Sequence, residues 1–420
     1  MNRRYRLLLL GTHPVQYSAQ LFRELAQHPQ LEILVAYCSL QGAEAGLDPD
    51  FGVKVAWDVP LLDGYPWIEV PNKSPCPGIG RFFGLLNPGV WKLVRRGRFD
   101  AVVCYTGYVY ASFWIAVAAA KSKRAALLFG TDAHDLRPRD GRHWKTTLKR
   151  RLWPRLFRLA DVVLAPSGGT VALMRSLRLP ADRVVLTPFV VHNDWWLERA
   201  AQVEPAAVRA AWGVPEGAPV VLFCAKLQPW KRPQDALRAL ARAGLQGTHL
   251  VYAGEGPLRA KLQAEAESLG LARRVHFTGF ANQSELPAIY RAANLLVLPS
   301  EYEPFGVVVN EAMLCGCAVA VSNRVGAGFD LVQPGQNGFV YPVGDVDALA
   351  GIFCEVLPDG ERLRQMGEAA RKRMETWTSR EYVEALLTAV ERAVRLKSEE
   401  SDLAINFQTE AHAREHRRSG

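Results

Sequence analysis

A stretch of forty residues, Pro299 to Gly338, constrains the fold of this chain more than any other part of it. It follows the apolar run Leu295–Leu298, which has the length and composition of a fully buried parallel strand. A Pro-Ser break and a Gly-containing turn then lead into a helical pattern over 307–314. A strand, a turn and a helix N-terminus therefore meet at the carboxyl edge of a predicted sheet, where open α/β sheets bind ligands.

Two glutamates flank this turn. Glu303 precedes the predicted helix, and Glu311 lies about one turn inside it. Carboxylates suit the hydroxyl groups of a pyranose or a ribose, while the backbone amides around Phe305 to Val307 suit a diphosphate. The pair alone could equally be two polar positions of an ordinary helix.

The run from Glu303 to Gly306 (Glu-Pro-Phe-Gly), together with Glu311, resembles the Glu-x7-Glu signature of retaining, nucleotide-sugar-dependent glycosyltransferases of family 4. Cys315-Gly316 and the Gly-rich turns at 325–328 and 335–338 continue the same pattern. The resemblance covers about residues 5–396. It implies an α/β fold of GT-B type, in which two Rossmann-like, doubly wound domains face a central cleft.

The length of 420 residues is enough for two domains of ordinary size. The resemblance implies an acceptor-binding domain over 1–200 and a nucleotide-sugar-binding domain over 201–378. It also implies a helix over 379–398 that returns to the first domain. The polar segment 399–420 is expected to be a disordered tail.

Composition indicates a cytoplasmic protein. No run approaches the 18 apolar residues that a membrane span needs. The first ten residues are better explained by a strand than by a signal peptide, since no small-residue cleavage site follows. The seven scattered cysteines, an odd number, favour reduced thiols, and Cys315-Gly-Cys317 lacks the spacing of a metal site and is interpreted as packing.

The charge is concentrated in the first half. Residues 1–200 hold 27 Lys and Arg against 16 Asp and Glu (+11), and the remainder holds 24 against 26 (−2), which gives the net +9. The first half is therefore expected to meet an anionic partner such as phospholipid headgroups or a lipid-diphosphate acceptor. Nucleic acid is not expected, because no nucleic-acid-reading motif accompanies the charge.

The segment from Arg137 to Arg158 is the most basic, and its apolar residues Trp144, Leu148, Leu152, Leu156 and Leu159 fall on one helical stripe. Pro154 is expected to kink this helix or to start a second one. A basic amphipathic helix with tryptophans fits a membrane surface, and a core-packed helix with a solvated cationic face is the alternative. The residues expected to contact the acceptor or the membrane are Arg142, Trp144, Lys149, Arg150 and Trp153.

Two loops of the first domain follow predicted strands. The first strand ends at Gly11, and the run Thr12–Tyr17 resembles the opening of one bacterial branch of these transferases, without the paired glycines that many members carry there. A later strand ends in Gly-Thr-Asp-Ala-His-Asp, residues 130–135. The resemblance places a histidine of this loop, His134, beside the reacting sugar. Asp132, Asp135 and a purely structural loop histidine are the alternatives.

In the second domain the strand over 220–225 is followed by Lys226 and, five residues later, by Lys231. Two lysines around such a turn can converge on one diphosphate as point charges. The family usually has Arg-Leu and Lys-Gly here, so Lys226 replaces an arginine and Arg232 replaces a glycine. Gly254 and Gly279 end the next two strands, and the resemblance places the nucleobase near the backbone after Gly279.

The resemblance implies that Glu303, His134, Lys226 and Lys231 carry the chemistry. The donor site that it implies comprises Gly11, Lys226, Lys231, Gly254, Gly279, Glu303, Pro304, Phe305, Gly306, Val307 and Glu311. The lysines and backbone amides would stabilise the leaving diphosphate. No metal or other cofactor is expected, since no Asp-x-Asp pair lies in a suitable loop; the nucleotide sugar is a co-substrate.

Other functions remain compatible with this sequence. A sugar-nucleotide epimerase or a phosphorylase could share the architecture. A hydride-transferring dinucleotide enzyme is disfavoured, because no Gly-x-Gly-x-x-Gly follows the first strand. A catalytically silent scaffold that binds a nucleotide or a membrane is the alternative from outside the enzymes.

Overall fold

The computed structural model of this protein describes residues 3–43, 46–48, 53–138 and 142–418. The first half contains β1 (Tyr5–Gly11), α1 (Gln16–Gln27), β2 (Leu31–Tyr37), β3 (Gly46–Asp48), β4 (Val53–Val55), β5 (Trp67–Glu69), α2 (Gly89–Arg96), β6 (Ala101–Cys104), α3 (Ala111–Lys123), β7 (Ala126–Gly130), α4 (His143–Phe157), β8 (Val162–Ala165), α5 (Gly168–Ser176), β9 (Val184–Leu186) and α6 (Asn193–Ala201). The second half contains α7 (Pro205–Ala211), β10 (Val220–Cys224), α8 (Pro233–Ala243), β11 (His249–Ala253), α9 (Arg259–Ser268), β12 (Val275–Gly279), α10 (Leu286–Ala292), β13 (Leu295–Leu298), α11 (Val308–Leu314), β14 (Ala318–Ser322), β15 (Gly338–Tyr341), α12 (Val346–Val356), α13 (Gly360–Arg373) and α14 (Ser379–Arg418).

All described strands except β3 and β4, which pair antiparallel with each other, form two parallel sheets with helices on both faces. The first has the order β5-β2-β1-β6-β7-β8-β9, and the second has the order β12-β11-β10-β13-β14-β15. The apolar runs of β1, β6, β10 and β13 become central strands, because side chains on both faces of each are buried. The predicted fold of two doubly wound α/β domains is confirmed.

The strand order reverses in each sheet beside its first strand, between β1 and β6 and between β10 and β13. Ligands bind at such switch points, outside the carboxyl ends of the strands. The two carboxyl edges face one another, since the loop after β7 and the loop after β13 are in contact: His134 Nδ1 lies 3.2 Å from the carbonyl oxygen of Pro304. This edge-to-edge cleft positions the candidate site.

The last helix, α14, crosses from the second domain back to the first. It packs against α1 and against β6 to β9, and it buries Tyr382, Leu386 and Val390 at helical spacing. The chain passes between the domains twice, near residues 189–193 and near residues 374–377, and hydrogen bonds join these two segments. Asn193 Nδ2 donates to the carbonyl of Met374 at 2.9 Å, and Trp377 Nε1 donates to that of Phe189, also at 2.9 Å. The predicted returning helix is therefore confirmed.

The segment 399–420 is predicted to be a disordered tail, and the structure describes residues 399–418 as a continuation of α14. Residues 419–420 lie outside the described set. The tail is polar, but its Glu, Gln, Ala and Arg residues are strong helix formers. At its start Lys397 Nζ also pairs with Glu400 at 2.7 Å and with Asp161 at 2.9 Å.

Candidate active site

Glu303 and Lys231, two predicted site residues from different loops, meet in the cleft. Lys231 ends a short 3-10 turn after β10 and donates to the Glu303 carboxylate, and Ser300 Oγ lies 3.5 Å from the same oxygen. Only 18% of the Lys231 side chain and 12% of the Glu303 side chain are exposed. A largely buried ion pair at the carboxyl edge can hold sugar hydroxyls on one partner and a phosphate on the other.

The backbone of the loop after β13 is held in a closely packed turn. Gly306 has φ +98°, and a Cβ there would approach Glu303, Leu298 and Val325 at 3.1 Å each. The Phe305 ring is buried and stacks on Phe189 of the first domain with ring centroids 5.1 Å apart. Pro304, Phe305 and Gly306 therefore form a fixed turn that precedes Val307, the N-cap of α11.

His134 lies across the cleft from this turn. A carbonyl oxygen only accepts, so the contact with Pro304 places the proton on Nδ1. Burial lowers the pKa of His134, which favours the neutral ring. Nε2 is then an acceptor, and it is buried with no hydrogen-bond partner within the described part of the chain. His134 is thus prepared to accept a hydrogen bond from a ligand hydroxyl.

The two aspartates beside His134 have different surroundings. The side chain of Asp132 faces the cleft. The surrounding protein desolvates its carboxyl group and thereby raises its pKa, and the nearby Glu303 carboxylate raises it further. Asp135 instead forms an ion pair with Arg324 of the second domain and accepts from the backbone N–H of Arg137 at 2.8 Å. Asp132 therefore remains an alternative at the reacting sugar, whereas Asp135 serves contact between the domains.

Several residues that join the two domains were not predicted from the sequence. Asp330 accepts from the backbone N–H of Gly168, the first residue of α5, at 2.9 and 3.0 Å. The Phe329 ring packs on His134 with centroids 5.4 Å apart. The one available signal in the sequence was Asp330, a residue type favoured at helix N-termini, two positions after the Gly-rich turn at 325–328.

A second bridge lies at the other end of the cleft. Asn282 Nδ2 donates to the carbonyl of Ala56 at 2.6 Å, and the backbone N–H of Ser284 donates to Asp58 at 3.1 Å. Trp57 packs edge-on against Phe280 with centroids 6.3 Å apart. The long connection over 41–88, only partly within the described residues, thereby reaches the loop that follows Gly279.

The glycines predicted at the donor site occupy tight positions. Gly254 has φ +146°, and a Cβ there would lie 2.1 Å from the carbonyl oxygen of Ala225, which precedes Lys226. Its N–H donates to the carbonyl of Gly279 at 2.8 Å. The loops after β10, β11 and β12 are therefore packed backbone against backbone, with Lys226 half-buried at their centre.

Glu311 lies in the first turn of α11 and faces into the second domain. It accepts from the Tyr290 hydroxyl at 2.7 Å. Burial raises the pKa of Glu311 to about 7, although the Tyr290 hydrogen bond opposes that shift. The structure thus separates the two glutamates of the motif: Glu303 is held by a lysine, and Glu311 by a phenol.

The ionisation of Glu311 should be visible in the stability of the protein. Because folding raises the pKa of this carboxyl from 4.5 to about 7, stability is lost as the pH rises through that window. We expect the free energy of unfolding of the wild type to fall relative to Glu311→Gln by up to about 3 kcal/mol between pH 5 and pH 8. Urea unfolding of both proteins at both pH values measures this. A difference that is constant with pH would contradict it.

A cavity of about 500 Å³ opens from the first-domain side of the cleft. Its lining includes Gly11 at the end of β1, Asp132, and Tyr382 of α14. It also includes Lys149 and Trp153 of α4, two residues predicted to contact an acceptor or a membrane. Gly11 therefore belongs to this first-domain cavity, where a Cβ would approach the Tyr37 ring at 3.0 Å.

The predicted apolar stripe of α4 is not buried along its whole length, because Trp144, Leu148 and Leu152 are 60%, 45% and 50% exposed and Leu156 is 7% exposed. Trp153 is 4% exposed, and its Nε1 donates to the Tyr108 hydroxyl at 3.2 Å, whereas Trp144 is 60% exposed on another face. Arg142 and Arg150 are also exposed. Nor does Pro154 start a second helix, because α4 runs through it. The sequence has apolar residues on two faces of this helix, and spacing alone did not show which face packs inward.

Neither a metal cluster nor a membrane span is found among the residues that the structure describes. Within the described ranges, no three His, Cys, Asp or Glu side chains group as a metal site. No helix in the same part of the chain is long and apolar enough to cross a bilayer. Cys315 and Cys317 are buried thiols without a disulfide, as the packing interpretation requires.

Comparison with known proteins identifies the family. A model described as glycosyl transferases group 1 matches residues 206–373, and one described as a glycosyl transferase 4-like domain matches residues 14–190. The chain belongs to the group 1 glycosyl transferases. The second match covers most of the residues that line the cavity of this group 1 transferase, and the first covers Lys226, Lys231 and both glutamates.

Curated relatives match this group 1 transferase over part of their length. It is 34% identical over 216 residues to a D-inositol 3-phosphate glycosyltransferase of Mycobacterium avium, covering 49% of each protein. The protein of the same name from Mycolicibacterium paratuberculosis is also 34% identical over 216 residues, covering 49% of this chain and 47% of that one. The chain thus spans about half the length of the curated relatives it matches.

Solved structures match over nearly the whole chain. Anabaena HepE in complex with UDP and glucose superposes with a TM-score of 0.69 at 20% identity, covering 92% of this chain and all of HepE. Sucrose-phosphate synthase of Thermosynechococcus elongatus gives a TM-score of 0.64 at 22% identity, covering 96% of this chain and all of the synthase. At these identities the likeness shows a shared fold.

Proposed function

We propose that this protein transfers a sugar from a nucleoside-diphosphate donor to an acceptor hydroxyl, with retention of configuration and without a metal. The observation that carries the proposal is the Lys231–Glu303 pair in the cleft, opposite Nε2 of His134, which has no hydrogen-bond partner among the described residues. Cation, carboxylate and neutral imidazole match a phosphate, sugar hydroxyls and one further hydroxyl, respectively. The UDP complex of HepE, which shares the fold, supports a nucleotide donor.

In this proposal the second domain holds the donor. Lys231, Lys226 and the amides near Phe305 and Gly306 stabilise the diphosphate as the bond to the anomeric carbon breaks. Glu303 binds hydroxyls of the transferred sugar, and Glu311 lies on the ribose side. The electron pair of the broken bond goes to the diphosphate oxygen. The acceptor hydroxyl attacks from the same face, and its proton passes to that oxygen.

The first-domain cavity is the proposed acceptor site, and His134 orients hydroxyls at its junction with the donor site. The lining is rich in tyrosine, including Tyr105, Tyr108 and Tyr382, and aromatic rings with hydroxyl groups suit a saccharide. We propose a lipid-linked or polysaccharide acceptor. The basic first half would hold the protein at an anionic membrane on the cytoplasmic side.

Calorimetric titration with UDP, GDP and ADP in EDTA, followed by the matching nucleotide sugars, tests this function. We expect one nucleotide to bind without metal and Lys231→Met to weaken its binding at least about tenfold, since a charge-assisted contact is lost. Lys261, on α9 of the same domain, supplies the matched control Lys261→Met. Failure of all three nucleotides to bind would favour a silent scaffold over an enzyme.

A substitution in the returning helix α14 should weaken binding of the acceptor and leave binding of the donor unchanged. The hydroxyls of Tyr382 and Tyr105 are 2.6 Å apart at the cavity wall. We expect Tyr382→Phe to raise the KM for acceptor about threefold to tenfold, the usual effect of one lost hydrogen bond, with the KM for donor unchanged. The control is Tyr341→Phe, because that buried second-domain hydroxyl has no partner among the described residues. An equal change in both KM values would contradict this role.

A further inference from the structure

The helix α4 has a second apolar face that nothing in the described chain covers. Trp144, Leu148 and Leu152 recur every four residues and are 60%, 45% and 50% exposed. Trp153, Leu156 and Phe157 pack inward, and Trp153 and Phe157 lie roughly 140–180° around the helix from Leu148. Core packing therefore explains one apolar face of α4 and leaves the other without a partner.

A loop of the first domain presents two more aromatic rings. Phe82 and Phe83 are 46% and 64% exposed, and they pack edge to face with ring centroids 4.9 Å apart. The loop is closed at its base, where the N–H of Gly78 donates to the carbonyl of Gly84 at 3.2 Å and Asn72 Nδ2 donates to it at 2.8 Å. A closed loop holds both rings outward instead of letting them fold back.

Hydrogen bonds connect this loop to α4. The N–H of Gly80 donates to the hydroxyl of Tyr110, the residue that directly precedes α3. Tyr108 lies two residues earlier, and its hydroxyl accepts a hydrogen bond from Trp153 of α4. The backbone carbonyl of Tyr108 accepts a second hydrogen bond from Trp114, a side chain that is 39% exposed. The loop, the start of α3 and α4 are therefore neighbours fixed by hydrogen bonds.

The charge around these apolar residues has one sign. Between residues 142 and 158 the sequence has seven Lys and Arg and no acidic residue. Arg151 and Arg155, on the same side of α4 as Leu148 and Leu152, are exposed, as is Arg81 beside the two phenylalanines. A two-fold contact with a second copy would bring these cations together, which is unfavourable. An apolar surface ringed by cations matches the headgroup region of an anionic bilayer.

We propose that Phe82 and Phe83 together with the outer face of α4 form one membrane-docking surface, in which the two rings enter an anionic bilayer and Arg151 and Arg155 bind headgroups. Lys149 and Trp153 on the inner side of α4 line the acceptor cavity. Docking thus brings the cavity to the membrane surface, where a lipid-linked acceptor would lie. This inference rests on the proposed function only for the identity of that acceptor.

Co-sedimentation with vesicles of phosphatidylcholine containing 30% phosphatidylglycerol at low salt tests the surface. We expect the wild type to bind and Phe82→Ser/Phe83→Ser to bind at least about tenfold more weakly, since two large apolar side chains leave the bilayer. Arg151→Gln/Arg155→Gln should also bind more weakly and lose much of the salt dependence. The matched controls Leu269→Ser and Arg273→Gln, exposed on the second domain, should bind like the wild type.

Three results would overturn the docking surface. They are a wild type that does not bind these vesicles, a Phe82→Ser/Phe83→Ser protein that binds like the wild type, and a wild-type dimer that this variant abolishes. Calorimetric binding of the nucleotide to the same variants separates the two proposals. A protein that binds the nucleotide but not the vesicles rejects the docking surface and leaves the proposed sugar transfer standing. A protein that binds the vesicles but not the nucleotide rejects the proposed sugar transfer and leaves the docking surface standing.

Discussion

Replacing Glu303 with glutamine is expected to lower kcat for glycosyl transfer at least about a hundredfold, the loss typical of removing one preorganised electrostatic contact from an active site. The carboxylate is largely buried against Lys231, and glutamine keeps its shape while removing its charge. The lysine then loses its counter-charge, at a cost of about 1–3 kcal/mol in stability. Single-turnover rates with saturating donor, together with thermal unfolding, measure both effects.

Glu301 offers a matched control for this substitution. It lies two residues earlier in the same loop and is exposed, so Glu301→Gln should retain wild-type activity. Combining Glu303→Gln with Lys231→Met should cost less than the sum of the two single effects, because the residues act as a pair. Full activity of the Glu303→Gln protein would remove this residue from the mechanism.

Replacing Gly254 with alanine is expected to destabilise the second domain by about 3 kcal/mol or more, through combined backbone strain and overpacking. The new methyl group would meet the carbonyl of Ala225 at 2.1 Å, and φ at this position is +146°. Because the displaced backbone leads directly into Lys226, nucleotide affinity should fall as well. Urea unfolding and nucleotide titration measure the two consequences.

Gly351→Ala is the corresponding control. Gly351 lies in the middle of α12, and a Cβ there would meet nothing within 4 Å. Alanine is the better helix former by about 1 kcal/mol, so this variant should be slightly more stable than the wild type. If the two alanine variants unfolded at the same urea concentration, the close approach of the loops at Gly254 would be disproved.

The sheets and the cleft were predictable from the sequence because both depend on local signals. Apolar runs such as Leu295–Leu298, each bounded by glycine or proline, mark central strands, and parallel strands place their following loops at one edge. That edge is why Lys231 and Glu303, 72 residues apart, could be expected together. The sequence predicts that each of these two residues binds the ligand, and it does not predict the ion pair between them.

Contacts between elements were the part that the sequence could not supply. Asp330 binding at the start of α5 depends on how the domains sit against one another, which no periodicity encodes. The pKa of Glu311 depends on burial and on Tyr290, which approaches from another helix. The two apolar faces of α4 are equivalent as a pattern, so only the fold shows that Trp153 packs inward and Trp144 outward.

The crossing of α14 makes the two domains unequal during synthesis. The second domain is complete once its own strands and α13 have left the ribosome, whereas β7 to β9 of the first sheet pack against α14, which begins at Ser379. We therefore expect the half of the chain that is made first to finish folding last. A fragment ending near residue 200 would lack Leu386 and Val390, which are fully buried in the whole chain, so we do not expect the first domain to fold independently.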